Sequence, residues 1–295
     1  MTKKDKDAIA PAEGADRAAP RRRGRPAKAA ATEAASEAPS KDRQFVTALA
    51  RGFQILQCFT ETRRELTVSQ LAKLTGLPQP TVWRLCHTML ELGMLQIDPT
   101  DRLRPGLAVL QLGFAALAGD GFITMARPHM QALADEFGAA CGLGIRSGAY
   151  MVFVERCESE NQLLLNLRTG SRIPILTSAF GWAYIAGHPE PERGQLMAEM
   201  QKLDPATYRQ WEKGLAAAIA EYESRGFVIN AGVFHKAYNT AAVPLRAADG
   251  TIPYVLNCGS AAATLPEAVL RERVAPRLSE LARLLTELLG RADLS

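Results

Sequence analysis

The sequence contains no run of about 18 apolar residues, so it has no segment that could cross a membrane as a helix. Its first residues are charged or are alanine and proline, and they lack the apolar centre of a secretory signal peptide. The formal net charge is only +4, which by itself is weak evidence for a nucleic-acid partner. We therefore expect a cytoplasmic protein without a membrane partner.

Cysteine and histidine are scarce, and their spacing forms no known framework. The five cysteines are odd in number, scattered and mostly within apolar segments: Cys58, Cys86, Cys141, Cys157 and Cys258. Such a set argues against a disulfide scaffold and fits a reducing compartment. No Cys-x-x-Cys or His-x-x-x-His spacing occurs, so we predict no metal site and no cofactor.

Motifs of the common enzyme classes are also missing. The sequence has no P-loop, dinucleotide-binding fingerprint, nucleophile elbow or zinc-protease motif. Cys141, Cys157 and Cys258 have no activating base or cation beside them in sequence, and buried cysteines are usually inert. We therefore predict no catalytic residues and no enzymatic activity.

The first 43 residues are alanine, proline, charged residues and serine, with almost no large apolar side chain. Such a segment cannot bury enough surface to fold, so we predict a disordered basic tail over 1–43. Within it, "RRRGRP" (Arg21–Pro26) resembles an AT-hook, whose arginines, here Arg23 and Arg25, enter a narrow A·T-rich minor groove. The alternative is a solubilising tail that contacts phosphates without preference for sequence.

Two helices are predicted after this tail. The stretch "FVTALARGFQILQCFTE" places apolar residues at helical spacing, which indicates an amphipathic helix. Next, Thr67 and Gln70 have the spacing of a capping box and predict a helix from Val68 to about Leu74. Gly76 is expected to end that helix in the left-handed conformation.

A third helix and a hairpin complete the pattern. Pro78 and Pro80 suit a helix start. The helix that follows has one apolar stripe, predicted to face inward: Val82, Leu85, Cys86, Met89 and Leu92. The stretch "MLQIDPTDRLR" predicts two short strands around a turn at 98–101. Together these elements predict a winged helix-turn-helix over 44–105, with a generic three-helix protein-binding bundle as the alternative.

The second half predicts a linker helix over 106–120 and an α+β domain over 121–292. Strand patterns in 139–148, 149–157 and 161–170 are followed by a short helix at 178–187 and a helical region at 189–225. Strands return at 226–260 with Asp249-Gly250 as a hairpin turn, and Thr264 is expected to cap a last helix over 266–290. The lack of β-α-β alternation favours an antiparallel sheet in a sensor-like domain.

The stretches "ALARGFQILQCF", "LAKLTGLPQPTVWRLCHTMLELG" and "TGSRIPILTSAFGWAYIAG", with the late "AAVPLRAADG", resemble the IclR family of bacterial transcriptional regulators over residues 45–290. The resemblance implies a winged helix-turn-helix, a linker helix and a C-terminal GAF-like α/β domain that binds a small-molecule effector. It also implies a homodimer or dimer of dimers that binds a double-stranded DNA operator. Whether the chain represses or activates transcription stays open.

A recognition helix of this kind presents its first turns to the bases, here through Gln79, Thr81, Trp83 and Arg84. Arg84 suits guanine and Gln79 suits adenine, whereas Thr81 suits a phosphate or a thymine methyl group. The alternatives are a solvated or phosphate-bound Arg84 and a packed Trp83. Further DNA contacts are predicted for a family-matched arginine on the first helix and for two on the wing: Arg51, Arg102 and Arg104.

The resemblance also implies an effector site beneath the short helix after the turn at 170–174. Position-by-position matching gives the backbone amides of two residues on this helix and five residues on later strands: Ala179, Phe180, Asn230, Tyr238, Thr240, Asn257 and Gly259. A helix N-terminus suits a carboxylate, so the effector is expected to be a small organic acid.

This chain departs from the family pattern at several of these positions. Asn230 replaces a residue that is often acidic, Phe180 is larger than usual, and a tyrosine stands at 238. These differences favour a larger ligand, such as a hydroxylated aromatic acid. Tyr238 and Asn257 could instead be ordinary strand residues. The alternative function is a protein-interaction module, or a ligand sensor without sequence-specific DNA binding.

Overall fold

The computed structural model of the protein describes residues 44–60, 62–160 and 165–292. The predicted AT-hook-like arginines, Arg23 and Arg25, lie outside the described residues. The described residues form a winged helix-turn-helix, two helices that meet at a sharp angle, and an α/β domain built on one antiparallel sheet. The α+β class inferred from the sequence is confirmed.

The first domain contains three helices and a two-stranded wing: α1 (Thr47–Leu56), α2 (Val68–Thr75), α3 (Gln79–Glu91), β1 (Leu95–Ile97) and β2 (Leu103–Pro105). The predicted capping box is present at the start of α2. The Thr67 hydroxyl accepts from the Gln70 amide at 3.2 Å, and the Gln70 side chain accepts from the Thr67 amide at 2.8 Å. Gly76 ends α2 with φ 69°, as expected.

The core of this domain lies between the helices and the wing. Its fully buried apolar side chains are Ile55, Leu66, Leu71, Val82, Cys86, Leu95 and Leu103. The prediction that Leu92 faces inward is wrong, because α3 ends at Glu91 and Leu92 is 63% exposed. On α1 only Ile55 is buried, whereas Leu49 and Phe53 on the same helix are exposed.

A sharp corner joins the two halves of the chain. Helices α4 (Ala108–Ala118) and α5 (Gly121–Phe137) meet at an angle of 81°. Asp120 caps α5: one carboxylate oxygen accepts from the amides of Phe122 and Ile123 at 3.1 and 3.2 Å, and the other accepts from the Tyr254 hydroxyl. No single helix in the described ranges is long and apolar enough to cross a membrane, although this bent pair meets that test when taken together.

Six antiparallel strands form the sheet of the second domain in the order β5-β4-β3-β8-β7-β6. They are β3 (Ala140–Ser147), β4 (Tyr150–Glu158), β5 (Arg172–Pro174), β6 (Val228–Ala231), β7 (Tyr238–Leu245) and β8 (Tyr254–Ala261). Gly250 at φ 85° makes the predicted turn in the β7–β8 connection.

One predicted strand is absent where the structure describes it. Residues 161–170 were expected to form a strand, but Leu165–Gly170 is irregular, and 161–164 lie outside the described residues. Gly170 at φ 91° turns the chain so that its amide and the Ser171 carbonyl bond to Phe153. Only the three residues of β5, which the sequence indicated as a turn, then align with β4.

Helices cover both faces of the sheet. One face packs against α5 and the C-terminal helix, and the other against α6 (Ala179–Gly187) and α8 (Pro205–Arg225), with α7 (Glu192–Leu203) outside. The region 189–225 was expected to be helical throughout. It breaks at Asp204 because Pro205 disfavours helical geometry in the residue before it, and Asp204 then caps α8.

The C-terminal helix begins differently from the prediction. It runs as α9 (Glu267–Val269), a π-helical turn (Leu270–Val274) and α10 (Ala275–Ala292). The expected cap at Thr264 is wrong: Pro266 is the residue before the helix, and no side chain caps it. The helix starts at Glu267, one residue after the start predicted at 266, and its capping position lies two residues after Thr264.

Gly181 lets α6 pack directly on the backbone before it. A β-carbon at this position would lie 2.2 Å from the Ile175 carbonyl oxygen, well inside van der Waals contact. Because the obstacle is backbone, a neighbouring rotamer change cannot relieve the clash. The helix that carries Ala179 and Phe180 is thus held against the 3₁₀ turn Ile175–Thr177.

We expect Gly181→Ala to destabilise the protein by roughly 1–3 kcal/mol through overpacking. Gly290→Ala on α10 is the matched control, because a β-carbon there meets nothing within 4 Å. In a helix that control should be neutral or stabilising by about 0.5–1 kcal/mol. Denaturant unfolding of both variants checks the difference, and equal stability of the two would contradict this packing argument.

Candidate functional site

The outer face of α3 is polar and open. Gln79 and Arg84 are exposed, Thr81 is half-buried, and Trp83 is 44% exposed with its ring edge-on to His87 at 6.2 Å. No side chain caps the start of α3, and Pro80 has no amide to satisfy. The first turn therefore presents backbone amides and the positive end of the helix dipole, which suits a phosphate.

The wing is held by Asp98. One of its carboxylate oxygens accepts from the Thr100 amide and hydroxyl at 2.8 and 2.7 Å and from the Arg102 amide at 3.0 Å. The bond from the Arg102 amide, followed by that from the Thr100 hydroxyl, lowers the pKa of Asp98. The carboxylate thus stays charged at neutral pH and keeps the turn closed.

The two wing arginines are placed differently. Arg104 is exposed on β2, where its guanidinium donates to the Gln96 side chain at 3.3 Å. Arg102 is turned toward α2, donating to the Glu65 carbonyl at 3.1 Å with its Nε 3.5 Å from the Glu65 carboxylate. Any contact between Arg102 and DNA must therefore compete with Glu65, whereas Arg104 has only a neutral amide partner.

Three further cations lie near Arg102 and were missed in the sequence. Arg63, Arg64 and Lys73 line an open depression with it, and Glu65 is the one acidic residue of that lining among the residues that the structure describes. The adjacent arginines in "TRRE", just before a capped helix, could have indicated this cationic surface from the sequence. The remaining predicted cation, Arg51, is exposed on α1.

A small cavity of about 20 Å³ lies between the sheet and the start of α6. That volume holds about one water molecule. Its lining is formed by Phe153, Arg156, Leu167, Ile173, Ser178, Ala179, Phe180, Phe234, Tyr238, Thr240 and Asn257. Five of the seven residues predicted for an effector site are in this lining, and Asn230 and Gly259 are not.

Those two residues shape the surroundings of the cavity. The Asn230 side chain donates through Nδ2 to the Thr177 carbonyl at 3.3 Å. Its Oδ1 accepts from the backbone amide of Phe234 at 3.3 Å, so Asn230 fixes the segment that carries Phe234. A β-carbon at Gly259 would lie 2.8 Å from both the Thr240 hydroxyl and the Tyr238 ring. Gly259 thus lets these two side chains lie flat on the sheet.

Glycines on β3 make room for the aromatic wall of the cavity. A β-carbon at Gly142 would lie 2.3 Å from the Phe153 ring, and one at Gly144 would lie 3.1 Å from the Phe180 ring. The two phenylalanine rings are tilted by 58° with centroids 4.9 Å apart. The two rings pack against each other and form an apolar wall beside the polar groups of the lining.

The start of α6 is capped by Ser178, whose hydroxyl accepts from the Gly181 amide at 3.1 Å and donates to the Pro174 carbonyl at 2.7 Å. The amides of Ala179 and Phe180 precede the capped amide, in the first turn of α6. Burial raises the pKa of Tyr238 to about 12, against the opposing effect of Arg156, so its hydroxyl stays neutral.

Arg156 is a cavity residue that sequence reasoning missed. Its side chain is only 5% exposed, its Nε donates to the Glu158 carboxylate at 2.6 Å, and its guanidinium lies 5.3 Å from the Phe153 ring centroid. The signal was present in "MVFVERC", where an arginine continues an apolar strand. A charge in such a strand is costly unless it has a partner or a ligand.

Comparison with known families agrees with both halves of the fold. The family profile of the IclR helix-turn-helix domain matches residues 48–99, and that of the bacterial transcriptional regulator IclR C-terminal domain matches residues 114–287. The chain belongs to the IclR family of bacterial transcriptional regulators. Its winged helix-turn-helix and its C-terminal α/β domain are the two parts of that family's architecture.

Relatives with full-length matches are transcriptional regulators. The HTH-type transcriptional regulator TsaQ1/TsaQ2 of Comamonas testosteroni is 31% identical over 80% of this chain and 86% of its own length. The Pca regulon regulatory protein of Pseudomonas putida is 26% identical over 86% and 90%. These relatives bear out the prediction that the chain is not an enzyme.

Solved structures of this family have the same fold. The IclR family transcriptional regulator from Brucella abortus is 35% identical with a TM-score of 0.79, covering 84% of this chain and 94% of that chain. An IclR homologue from Microbacterium hydrocarbonoxydans, crystallised in complex with 4-hydroxybenzoate, is 24% identical with a TM-score of 0.62, covering 83% and 99%. At 24% identity, the similarity to the Microbacterium protein is evidence for the fold alone.

The cysteines of this IclR-family chain form no reactive centre. All five are free thiols, and four of them are buried. Burial raises the pKa of Cys86 and Cys157 to about 11 and that of Cys258 to about 12, so these thiols stay protonated at neutral pH. Among the described residues, no three His, Cys, Asp or Glu side chains are placed to hold a metal ion.

We expect iodoacetamide at pH 7.5 to modify the native protein at Cys58 alone, because the thiolate is the reacting form and Cys58 is the one partly exposed thiol. Unfolded protein should be modified at all five positions. Peptide mass spectrometry checks both patterns. Fast native labelling of Cys141, Cys157 or Cys258 would show that the strands carrying them open readily.

Proposed function

We propose that this IclR-family regulator recognises a specific operator through α3 and the wing, and that a small organic acid in the α6 cavity controls this binding. The observation that carries the proposal is the pairing of two sites in one chain. One is an uncapped, polar recognition helix, and the other is an enclosed cavity with a helix N-terminus and aromatic walls. Such a regulator acts on chromosomal DNA, so the proposal places it in the cytoplasm.

On the DNA side, Arg84 donates to guanine and Gln79 pairs with adenine, since both side chains are exposed on the first turns of α3. Thr81 and Trp83 contact the backbone or a thymine methyl group. Arg51 and Arg104 contact phosphates, and Arg102 joins them if it leaves Glu65. The tail arginines Arg23 and Arg25 lie outside the described residues, and their minor-groove role stays a prediction.

On the effector side, the first-turn amides of α6, at Ala179 and Phe180, attract an acid group. The Phe153 and Phe180 rings favour a flat apolar body, and the neutral Tyr238 and Thr240 hydroxyls and the Asn257 amide suit a hydroxyl substituent. We therefore propose a hydroxylated aromatic acid. The cavity of about 20 Å³ is too small for it, so binding selects a more open conformation.

The protein acts as a homodimer, or as a dimer of dimers, because a two-part operator needs a twofold partner. No residue of α4 is buried, although the helix is mostly apolar. Large exposed apolar side chains lie on α1, on α4 and just before α4: Leu49, Phe53, Leu107, Leu110, Leu112 and Phe114. A surface of this kind is typical of a subunit interface.

We expect the double variant Leu110→Glu, Phe114→Glu to shift the protein from a dimer toward a single chain of 32.0 kDa, because each glutamate would have to be desolvated at the interface. Gln111→Glu adds a charge on the same helix at an exposed polar position and should leave the dimer intact. Sedimentation equilibrium measures the mass. A dimer that persists in the double variant would exclude α4 from the interface.

We expect Arg84→Ala to lower operator affinity by about 10- to 100-fold, the usual worth of one bidentate base contact. The matched control is Arg283→Ala, which removes an exposed helical arginine in the second domain and should leave affinity unchanged. Fragments recovered from genomic DNA supply the operator, and fluorescence anisotropy measures affinity at two salt concentrations.

The alternative, a protein-interaction module, predicts a different result. Under this alternative, no discrete DNA fragments would be recovered, and Arg84→Ala and Arg283→Ala would have the same affinity for DNA. Binding that is diffuse and disappears at the higher salt concentration would indicate contact with phosphates alone. Either result would contradict the proposed role of α3.

A further inference from the structure

We propose that Arg156 and Asn257 determine which ligand the cavity accepts: Arg156 binds its acid group and Asn257 binds a hydrogen-bond donor elsewhere on the same molecule. The inference rests on the proposed function, since it defines the ligand class of that cavity. It differs from a site built on the α6 amides alone, because it gives the acid group a charged partner on β4.

Among the described residues that line the cavity, Arg156 has the one charged side chain. Its guanidinium is enclosed, with 5% of the side chain exposed, whereas its ionic partner Glu158 is 39% exposed and reaches water. The bond to Glu158 uses Nε, which leaves the other N–H groups of the guanidinium for other partners. One of these partners is the Tyr238 hydroxyl.

A full positive charge binds an acid group more strongly than neutral amides do, and more so where water is excluded. Guanidinium also matches a carboxylate in shape, because both groups are planar and can share two parallel hydrogen bonds. The Phe153 ring centroid lies 5.3 Å from the guanidinium. In our proposal the ring of an aromatic acid packs beside Phe153 and its acid group binds Arg156.

Asn257 supplies the second requirement. It is buried on β8, and its Oδ1 is a buried oxygen with no hydrogen-bond partner in the described structure. The oxygen lies against the backbone of Gly142, where a β-carbon would come within 2.7 Å of it. Native structures rarely leave such an acceptor unpaired, so its place in a ligand cavity indicates a missing donor. A hydroxyl group on the ligand would pair with it.

The two requirements, with the apolar wall of Phe153 and Phe180, favour an aromatic monoacid with a hydroxyl substituent as the ligand. The competing reading is that Arg156 and Glu158 are a structural ion pair without contact to a ligand. The two readings differ in what a substitution changes. A structural role affects every ligand equally, whereas a recognition role affects only ligands that carry the matching group.

The test is isothermal titration of the full-length protein with four probes: 4-hydroxybenzoate, benzoate, 4-hydroxybenzamide and benzamide. We expect 4-hydroxybenzoate to bind most tightly. Arg156→Gln should weaken the two acids by about 10- to 100-fold and the two amides by less than about threefold, as expected for one charge-assisted contact. Asn257→Ala should weaken the two hydroxylated probes and leave benzoate and benzamide unchanged.

Arg127→Gln is the matched control. Arg127 is an exposed arginine on α5, paired with Glu155 at 2.8 Å, and it is not in the cavity lining. It should change none of the four affinities. If Arg156→Gln does not fold, Arg156→Lys keeps the charge without the planar fork and should retain a preference for acids at reduced affinity.

Three results would overturn the inference: wild-type protein that binds no acid probe, equal affinity for acids and amides, or equal loss for all four probes in Arg156→Gln. Operator binding by the same wild-type preparation is measured separately without probe. Specific DNA binding with failed ligand discrimination rejects this inference alone. Ligand discrimination without specific DNA binding rejects the proposed function and leaves the ligand assignment in place.

Discussion

The fold of the second domain depends on strands that are buried on both faces. All eight residues of β7 are buried, as are six of the eight in the adjacent β8 and the first five of β3, the next strand. An antiparallel sheet of this kind requires a helical layer on each side, because either bare face would expose a continuous apolar surface. The layer of α5 and α10 packs against large aliphatic side chains of the sheet, including Leu143 on β3 and Leu256 on β8. On the other face, α6 packs over glycines of β3, and the cavity lies between α6 and this part of the sheet.

The polar groups of the cavity follow from the same alternation. Along β8, Leu256 and Cys258 face the core packed by α5 and α10. Asn257, between them, therefore faces α6 and the cavity. Along β7, Tyr238 and Thr240 face the cavity, whereas Ala241 and Val243 face the core packed by α5 and α10. The site thus depends on strand register as well as on residue type. A register shift of one residue would turn the polar side chains toward α5 and α10 and the apolar ones toward α6.

Local features were predictable from the sequence, and features that depend on distant contacts were not. The capping box at Thr67 and the left-handed Gly76 need only their neighbours, so residue type and spacing sufficed. The irregular Leu165–Gly170 depends on bonds to Phe153, which no local pattern reveals. The family resemblance indicated five of the cavity residues. It gave no indication of Arg156, whose importance follows from its burial beside the Phe153 ring.

The carboxylate of Asp120 is shared between two structural elements, because it caps α5 and also accepts from Tyr254 on β8, the strand that carries Asn257. The start of α5, at the corner with α4, is therefore tied to that strand. A helix of 11 residues is about 16 Å long, so a change of 10° at the corner would move the far end of α4 by about 3 Å. A rotation of that size would thus displace the far end of α4 by nearly the rise of one base-pair step.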